Sequence, residues 1–262
     1  MKIALYSDLH LELARWEGDS LWEPPQLDVD VVVLAGDIDT RTNGIKWAAS
    51  AFPDTPVIYV SGNHEFYGHS IHLFYRDRGE QGNVHFLENS TFTLDGVRFL
   101  GCTLWSGFEL LGKEKAKGYM QIAKFNIADY RAIIGSEGLL LNPLETRERH
   151  QQSLKWLEQE LAQPFEGKTV VVTHFAPHPL CVAPEHQESI LSPYFVNDLR
   201  PLMDNTPIAL WCFGHTHTNC DFTTVSGCRV ISNQRGYPGE WERNGFRPEL
   251  VIDLGRVSDS GC

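Results

Sequence analysis

Several short apolar runs rich in β-branched residues each lead directly into a polar motif, and this arrangement constrains the fold most. Asp30–Ala35 and Val57–Val60 are continuous apolar runs, a pattern typical of strands buried on both faces. A short helix is predicted between them over Gly44–Phe52, and a right-handed crossover of this kind joins parallel strands. Further runs of the same type occur at Lys2–Tyr6, Thr169–Val172 and Ile208–Phe213.

The polar motifs stand at the carboxyl ends of these predicted strands. Loops at that edge of a sheet can converge on one region although they are far apart in sequence. Their carboxylate, imidazole and carboxamide groups together suit one or two divalent ions of the Zn, Mn or Fe type. The motifs are Asp8-Leu9-His10, Gly36-Asp37, Gly62-Asn63-His64-Glu65, Thr173-His174 and Gly214-His215-Thr216-His217.

Two of the motifs alternate ligand and non-ligand residues. Asp8 and His10 flank Leu9, so an extended backbone would point both polar side chains to one side and Leu9 into the core. His215 and His217 flank a threonine in the same way. The alternation predicts that this second pair reaches two adjacent metal ions.

The remaining motifs supply single donor groups. Asp37 follows a buried strand and Gly36, whose missing side chain lets the backbone turn closely beneath the ions. Asp37 is therefore the candidate bridge between two metals. Asn63 offers a carboxamide oxygen, and His174 offers an imidazole nitrogen.

The rest of the chain continues the alternation of strands and helices. Strands are predicted at Val97–Leu104, Arg229–Ser232 and Leu250–Leu254. A helix should begin at Pro143, capped by Asn142, and end near Ala162. One or two helices are predicted as an insertion at about residues 105–141. The pattern indicates a single α/β domain over residues 1–262, with two packed sheets and helices outside.

Composition narrows the function further. No apolar run approaches the ~20 residues that span a bilayer, so we expect no membrane partner and a cytoplasmic location. The net charge of −12 argues against an extended nucleic-acid-binding surface. The six scattered cysteines lack a C-x-x-C pair and are predicted to be reduced.

The motif series Asp-x-His, Gly-Asp, Gly-Asn-His-Glu, His and Gly-His-Thr-His resembles the calcineurin-like metallophosphoesterase superfamily. It is most similar to small bacterial members, including the group that contains cyclic-nucleotide phosphodiesterases. The resemblance implies a four-layer α/β/β/α sandwich with a dinuclear metal site. It further implies that Asp8, His10 and His217 hold the first metal, Asp37 bridges, Asn63, His174 and His215 complete the second, and His64 contacts the phosphate and protonates the leaving oxygen.

One branch of the superfamily does not fit. Protein Ser/Thr phosphatases carry Gly-Asp-x-x-Asp-Arg-Gly, in which the later Asp orients the catalytic His, whereas residues 36–41 here read Gly-Asp-Ile-Asp-Thr-Arg. This difference argues against a protein phosphatase and leaves Asp39 and Glu65 as candidate partners of His64. Arg235, on a glycine-containing loop, either clamps a phosphate oxygen or forms a surface salt bridge.

These features predict a phosphoesterase that uses two divalent ions, with Mn, Fe or Zn favoured. In the expected mechanism a metal-bridging hydroxide attacks phosphorus in line, and Asn63, His64 and Arg235 bind the substrate. A small-molecule phosphodiester is slightly favoured over a phosphomonoester, and a nuclease is disfavoured. The alternative is a non-catalytic metal-binding scaffold of the same fold. The sequence leaves monomer and homodimer open.

Overall fold

The computed structural model describes residues 1–79 and 81–255, and its strands form two mixed sheets. The sequence-predicted Lys2–Tyr6, Val57–Val60 and Arg229–Ser232 strands have the bounds expected, and the other predicted strands differ by one or two residues at their ends. The strands are β1 (Lys2–Tyr6), β2 (Val31–Ala35), β3 (Val57–Val60), β4 (Val84–Phe86), β5 (Ser90–Leu94), β6 (Val97–Cys102), β7 (Lys168–Thr173), β8 (Leu210–Phe213), β9 (Asp221–Thr223), β10 (Arg229–Ser232) and β11 (Val251–Asp253).

Both sheets have a parallel centre, and each has at least one antiparallel strand at a margin. The first sheet has the order β11-β1-β2-β3-β4, in which only β11 runs antiparallel to its neighbour. The second has the order β5-β6-β7-β8-β10-β9, in which β5 and β9 are antiparallel to their neighbours. The central strands of each sheet therefore end at a common edge, as the sequence predicted.

The two sheets pack face to face, and helices cover their outer faces. Ile3 and Leu5 of β1 join the core between the sheets, whereas Ala4 and Tyr6 belong to the outer core that includes helical residues. Successive residues of a central strand thus face the two apolar layers in turn. Because both layers are apolar, the central strands do not alternate between apolar and polar residues. The architecture is the predicted α/β/β/α sandwich.

The helices include the one whose start the sequence predicted in detail. The Asn142 side chain accepts hydrogen bonds from the backbone N–H groups of Leu144 and Glu145, each at 3.1 Å, and Pro143 occupies the first turn. The helices are α1 (Leu11–Glu17), α2 (Asn43–Ala51), α3 (Ile71–Asp77), α4 (Ala116–Asn126), α5 (Asp129–Ala132), α6 (Pro143–Leu161), α7 (Ser192–Phe195) and α8 (Arg200–Asn205).

Several short elements were not predicted. The β4 and β9 strands have three residues each, and β5 is an edge strand with no fully buried residue. The seven-residue α1 also lacked a sequence prediction, although Gly18 ends it in a left-handed conformation at φ 78°. Helices this short carry too little hydrophobic periodicity to stand out. In the predicted insertion, α4 and α5 are the helical segments longer than one 3₁₀ turn.

Within the described residues, no helix combines the length and apolarity required to cross a membrane. The five cysteines in this part of the chain are free thiols, and Cys262 lies outside it. Cys212 is fully buried between the sheets.

The contact between the sheets can be tested at Gly101 in β6. A Cβ at this position would lie 2.4 Å from Leu87 Cβ and 3.0 Å from Val60 Cγ1. Both residues contribute to the core between the sheets from the side of the first sheet. Gly101→Ala should therefore lower the free energy of unfolding by about 1–3 kcal/mol because the sheets must separate. Urea denaturation of metal-free protein, followed by tryptophan fluorescence, measures the loss.

A matched control is available in α4. Gly118 is exposed, and a Cβ there would meet no atom within 4 Å. Gly118→Ala should stabilise the helix by up to about 1 kcal/mol. Equal unfolding free energies for the two alanine variants would contradict tight packing at Gly101.

Candidate metal centre

All seven predicted ligands lie together at the carboxyl edge shared by the two sheets. The first cluster combines the loop after β1 with the loop after β8. His10 Nε2 is 3.0 Å from His217 Nε2, and His217 Nε2 is 3.4 Å from Asp8 Oδ1. The three donor atoms lie within 4.8 Å of one another, a spacing that suits one metal ion.

The second cluster combines loops after β2, β3, β7 and β8. His174 Nε2 lies 3.4 Å from Asp37 Oδ2 and 3.1 Å from Asn63 Oδ1. His215 completes a group with Asp37 and His174 whose donor atoms are again within 4.8 Å. The structure therefore divides the donors into the same two sets that the resemblance implied.

Asp37 stands between the two clusters. Its carboxylate belongs to the group with His174 and His215 and also to a group with His10 and His64. Asp37 Oδ1 accepts a hydrogen bond from the His64 backbone N–H at 2.8 Å. This central position is the one that a bridging ligand requires.

The predicted extended backbone of the ligand loops is wrong. Asp8 and His10 have φ values of 52° and 47°, and His215 and His217 have values of 75° and 51°. Asp37 is also left-handed, at φ 54°. Such conformations in non-glycine residues cost on the order of 1–3 kcal/mol each and concentrate at functional sites. Here the side chains converge because each loop turns sharply, not because an extended strand continues.

Two glycines permit this crowding. A Cβ on Gly36, which has φ 85°, would lie 2.5 Å from His174 Nδ1 and 2.6 Å from the Gly62 backbone nitrogen. A Cβ on Gly62 would lie 2.1 Å from Asp37 Oδ1. The close backbone turn expected at Gly36 is therefore present. Gly62, in the neighbouring loop, likewise leaves room for Asp37 because it has no side chain.

The donor set fits a bound cation. His215 Nε2 is buried and has no hydrogen-bond partner among the described residues, which leaves a costly unsatisfied atom unless a metal uses it. Burial opposes charge on His217 and His174, yet nearby carboxylates raise their pKa to about 10 and about 9. The negative charge of these carboxylates favours a proton on each imidazole, and it also favours a divalent ion bound in place of that proton.

Glu12 is the partner of His64, and the sequence analysis missed it. Glu12 Oε1 lies 3.1 Å from His64 Nδ1 and 3.0 Å from His10 Nδ1, so one buried carboxylate orients two imidazoles. Although burial raises the pKa of Glu12, these two contacts hold it at about 2. Second-sphere carboxylates of this type fix the tautomer and direction of a histidine.

The two candidates named from sequence have other partners. The Asp39 carboxylate pairs with the Arg15 guanidinium at 2.6 and 3.0 Å. Glu65 accepts hydrogen bonds from the backbone N–H groups of Asp37 and Gly62, at 3.0 and 2.7 Å, and from the Tyr59 hydroxyl at 2.7 Å. Asp39 and Glu65 were therefore wrong as partners of His64, and Glu65 instead holds the two glycine-containing loops together.

Asp129 of α5 orients the Asn63 side chain. Its Oδ1 accepts hydrogen bonds from Asn63 Nδ2 at 3.0 Å and from the Tyr67 hydroxyl at 2.8 Å, and its Oδ2 accepts from the Tyr194 hydroxyl. The amide oxygen of Asn63 consequently faces His174. No motif at residues 127–131 signals this role, because it depends on contact between distant segments.

The segment after β10 covers the first cluster. Glu240 Oε2 lies 2.7 Å from His217 Nδ1, and the Gln234 side-chain oxygen accepts from the His217 backbone N–H at 2.6 Å. Arg235 donates to the Leu9 carbonyl at 3.3 Å and lies over the Trp241 ring at 4.4 Å. Among residues 1–79 and 81–255, no carboxylate forms a salt bridge with Arg235, and the role of Arg235 in substrate binding stays a prediction.

Comparison with known proteins shows which family this site belongs to. The sequence model described as calcineurin-like phosphoesterase matches residues 1–219. The chain belongs to this family. The match covers all seven clustered donors and His64, so the phosphoesterase site belongs to the part of the chain that defines the family.

Individual relatives extend the comparison. Protein L509 of Acanthamoeba polyphaga mimivirus is 29% identical over 290 residues, which cover 98% of each chain. The crystal structure of phosphopantetheinyl hydrolase (PptH) from Mycobacterium tuberculosis has a TM-score of 0.69 and 21% identity, with 92% of each chain covered. A dimetal phosphatase from Danio rerio has a TM-score of 0.47 and 18% identity, with 88% of this chain and 86% of that chain covered.

Family membership confirms the class of chemistry. The protein is a metal-dependent phosphoric ester hydrolase of the calcineurin-like type. The candidate His and Asp clusters agree with the divalent ions that this family uses.

The close approach at Gly62 yields a prediction about metal binding. Gly62→Ala should push the Asp37 carboxylate and the His174 ring apart, since the new Cβ would lie 2.1 Å from Asp37 Oδ1 and 2.7 Å from His174 Cε1. We expect about a 10–100-fold loss of metal affinity, as for displaced outer contacts of a metal site. Elemental analysis after dialysis measures bound metal, with Gly118→Ala as the control. Full metal content in the Gly62 variant would contradict the proposed second cluster.

Proposed function

We propose that this enzyme hydrolyses small-molecule phosphoesters at a dinuclear metal centre, with phosphodiesters slightly favoured. The observation that carries the proposal is the position of Asp37, whose carboxylate contributes to donor groups on both sides of it. His64 lies beside the same carboxylate, with Nε2 4.0 Å from Asp37 Oδ2. Structural metal sites have no need of this additional imidazole.

The donor residues would divide between two metal ions. Asp8, His10 and His217 would hold one ion, and Asn63, His174 and His215 the other, with Asp37 shared. Two such ions supply a water of lowered pKa and neutralise charge that develops on the phosphoryl oxygens. Mixed nitrogen and oxygen donors accept Mn, Fe or Zn, so the site chemistry alone leaves these three open.

His64 is suited to protonate the leaving oxygen. Its Nδ1 contacts Glu12, so only Nε2 remains to face a substrate. Burial lowers the pKa of His64, but the charge of Asp37 and the contact with Glu12 outweigh it and raise the pKa overall. A protonated Nε2 can donate to the departing alkoxide, and the ring is held in place by stacking on Tyr67 at 4.1 Å.

Two features support the small-molecule diester. The Asp-Arg-Gly extension typical of protein phosphatases is missing after Asp37, and the net charge of −12 disfavours long nucleic acids. PptH, named as a phosphopantetheinyl hydrolase, provides a further substrate class to include in a test. Asn63, His64 and Arg235 would contact the phosphoryl group.

A substrate panel with Mn-reconstituted enzyme tests the function. The panel compares phosphomonoesters, linear diesters, cyclic nucleotides and a phosphopantetheine ester at equal concentration. We expect the highest kcat/KM for a linear or cyclic diester. Metal-loaded protein that cleaves neither bis(p-nitrophenyl) phosphate nor p-nitrophenyl phosphate would favour the non-catalytic scaffold.

The proton-donor role of His64 gives a leaving-group prediction. His64→Ala should reduce kcat by about 10²–10⁴-fold for alkyl phosphoesters, whose leaving oxygens need a proton. The loss should be much smaller for p-nitrophenyl esters, because nitrophenolate departs without one. Steady-state kinetics on both ester types, together with metal analysis, separate the two effects.

Two variants control this experiment. His72→Ala removes an exposed imidazole from α3 and should leave both rates unchanged. Glu12→Gln removes the charge that orients His64 and should reproduce the leaving-group dependence in weaker form. Parallel loss of metal and of both activities in His64→Ala would make this residue structural instead.

A further inference from the structure

Tyr237 lies at the candidate metal centre but belongs to a segment outside the family match. The matched region ends at residue 219, and Tyr237 reaches back to contact a residue 173 positions earlier. Its hydroxyl lies 3.3 Å from His64 Nε2. Because Nδ1 of His64 contacts Glu12, this is the one nitrogen through which His64 can face a substrate.

The tyrosine ring is placed over the first donor cluster. Its centroid lies 4.5 Å from the His10 ring and 4.5 Å from the His217 ring. The hydroxyl therefore stands where the first metal site and His64 meet. The side chain is 39% exposed, so its surface is open to a ligand that enters from solvent.

A tight turn fixes this placement. The Glu240 backbone N–H donates to the Tyr237 carbonyl at 2.9 Å, with Pro238 second and Gly239 third in the turn at φ 83°. Proline followed by a left-handed glycine is the pattern of a type II turn. Glu240 Oε2 also accepts from the Tyr237 backbone N–H at 2.7 Å while it contacts His217 Nδ1 at 2.7 Å. One carboxylate thus ties the tyrosine to a metal ligand.

We propose that the Tyr237 hydroxyl is a phosphate-binding group, which donates a hydrogen bond to a phosphoryl oxygen of the substrate beside His64. This inference rests on the proposed phosphoesterase function and adds a residue to it. Without substrate, the hydroxyl and His64 Nε2 satisfy each other. A phosphoryl oxygen that enters between them takes a hydrogen bond from each, since a tyrosine hydroxyl keeps its proton at neutral pH.

The position also limits what the site accepts. The ring covers the His10 and His217 side of the centre, so a phosphoryl group must approach beside the turn at residues 237–240. A small ester can do this with its phosphate held between Tyr237 and His64. The segment after residue 219 therefore adds a substrate contact that the family-defining motifs do not contain.

Phosphate binding tests the proposal without turnover. Inorganic phosphate is titrated calorimetrically into Mn-reconstituted wild type and Tyr237→Phe, which keeps the ring over both histidines. Loss of a hydrogen bond to a charged group should weaken phosphate binding by about 10–100-fold. Metal content and the thermal midpoint should not change. The control is Tyr119→Phe in α4. Tyr119 is partly buried, and its hydroxyl makes no contact with the metal ligands in the structure, so this variant should bind phosphate as wild type does.

Kinetics provide the second readout. For any ester that the wild type cleaves, Tyr237→Phe should lower kcat/KM by a factor similar to its loss of phosphate affinity. Equal phosphate affinity in Tyr237→Phe and wild type would overturn the proposal, and so would loss of metal from the variant. If wild type cleaves no ester but still binds phosphate in a Tyr237-dependent way, the hydrolytic function fails while the contact stands.

Discussion

The structure depends on one electrostatic constraint: buried imidazole and carboxylate groups converge at close range at the carboxyl edge of the two sheets. His215 Nε2 has no hydrogen-bond partner among the described residues, and His10 Nε2 faces His217 Nε2 at 3.0 Å. Such an arrangement is unfavourable unless a cation occupies it. Left-handed backbone at Asp8 and Asp37 adds to the cost. The packed core of two sheets must hold these loops in place, because the loops have little stability of their own.

A ring of acidic residues around the donors gives the site its orientation. Glu12 holds two imidazoles, Glu65 joins two ligand loops, Asp129 directs an asparagine amide and Glu240 contacts His217. These carboxylates come from four separate parts of the chain. Acidic residues of this kind favour the cations that bind phosphate, so a net charge of −12 is compatible with a site for anionic esters.

Sequence reasoning succeeded where the signal is local. The central strands and the capped start of α6 were predicted because adjacent residues encode burial and capping. The seven predicted donors lie at one edge of the sheets because each follows a strand that the pattern reveals. It failed for Glu12, whose helix α1 is too short to show periodicity, and it chose Asp39, which Arg15 neutralises. The extended ligand loops were also wrong, because backbone handedness at Asp8 is imposed by the surrounding packing.

The sequence by itself determined the order of strands and motifs, the donor types and hence the class of reaction. Only the tertiary structure decided how the ligand loops turn, which carboxylate orients His64, and that Tyr237 reaches the site from beyond the family-defining region. The physical reason is separation along the chain. Strand burial and capping arise between near neighbours, whereas Tyr237 and His64 meet across 173 positions only because two sheets, the loops at their shared edge and a tight turn fix their distance.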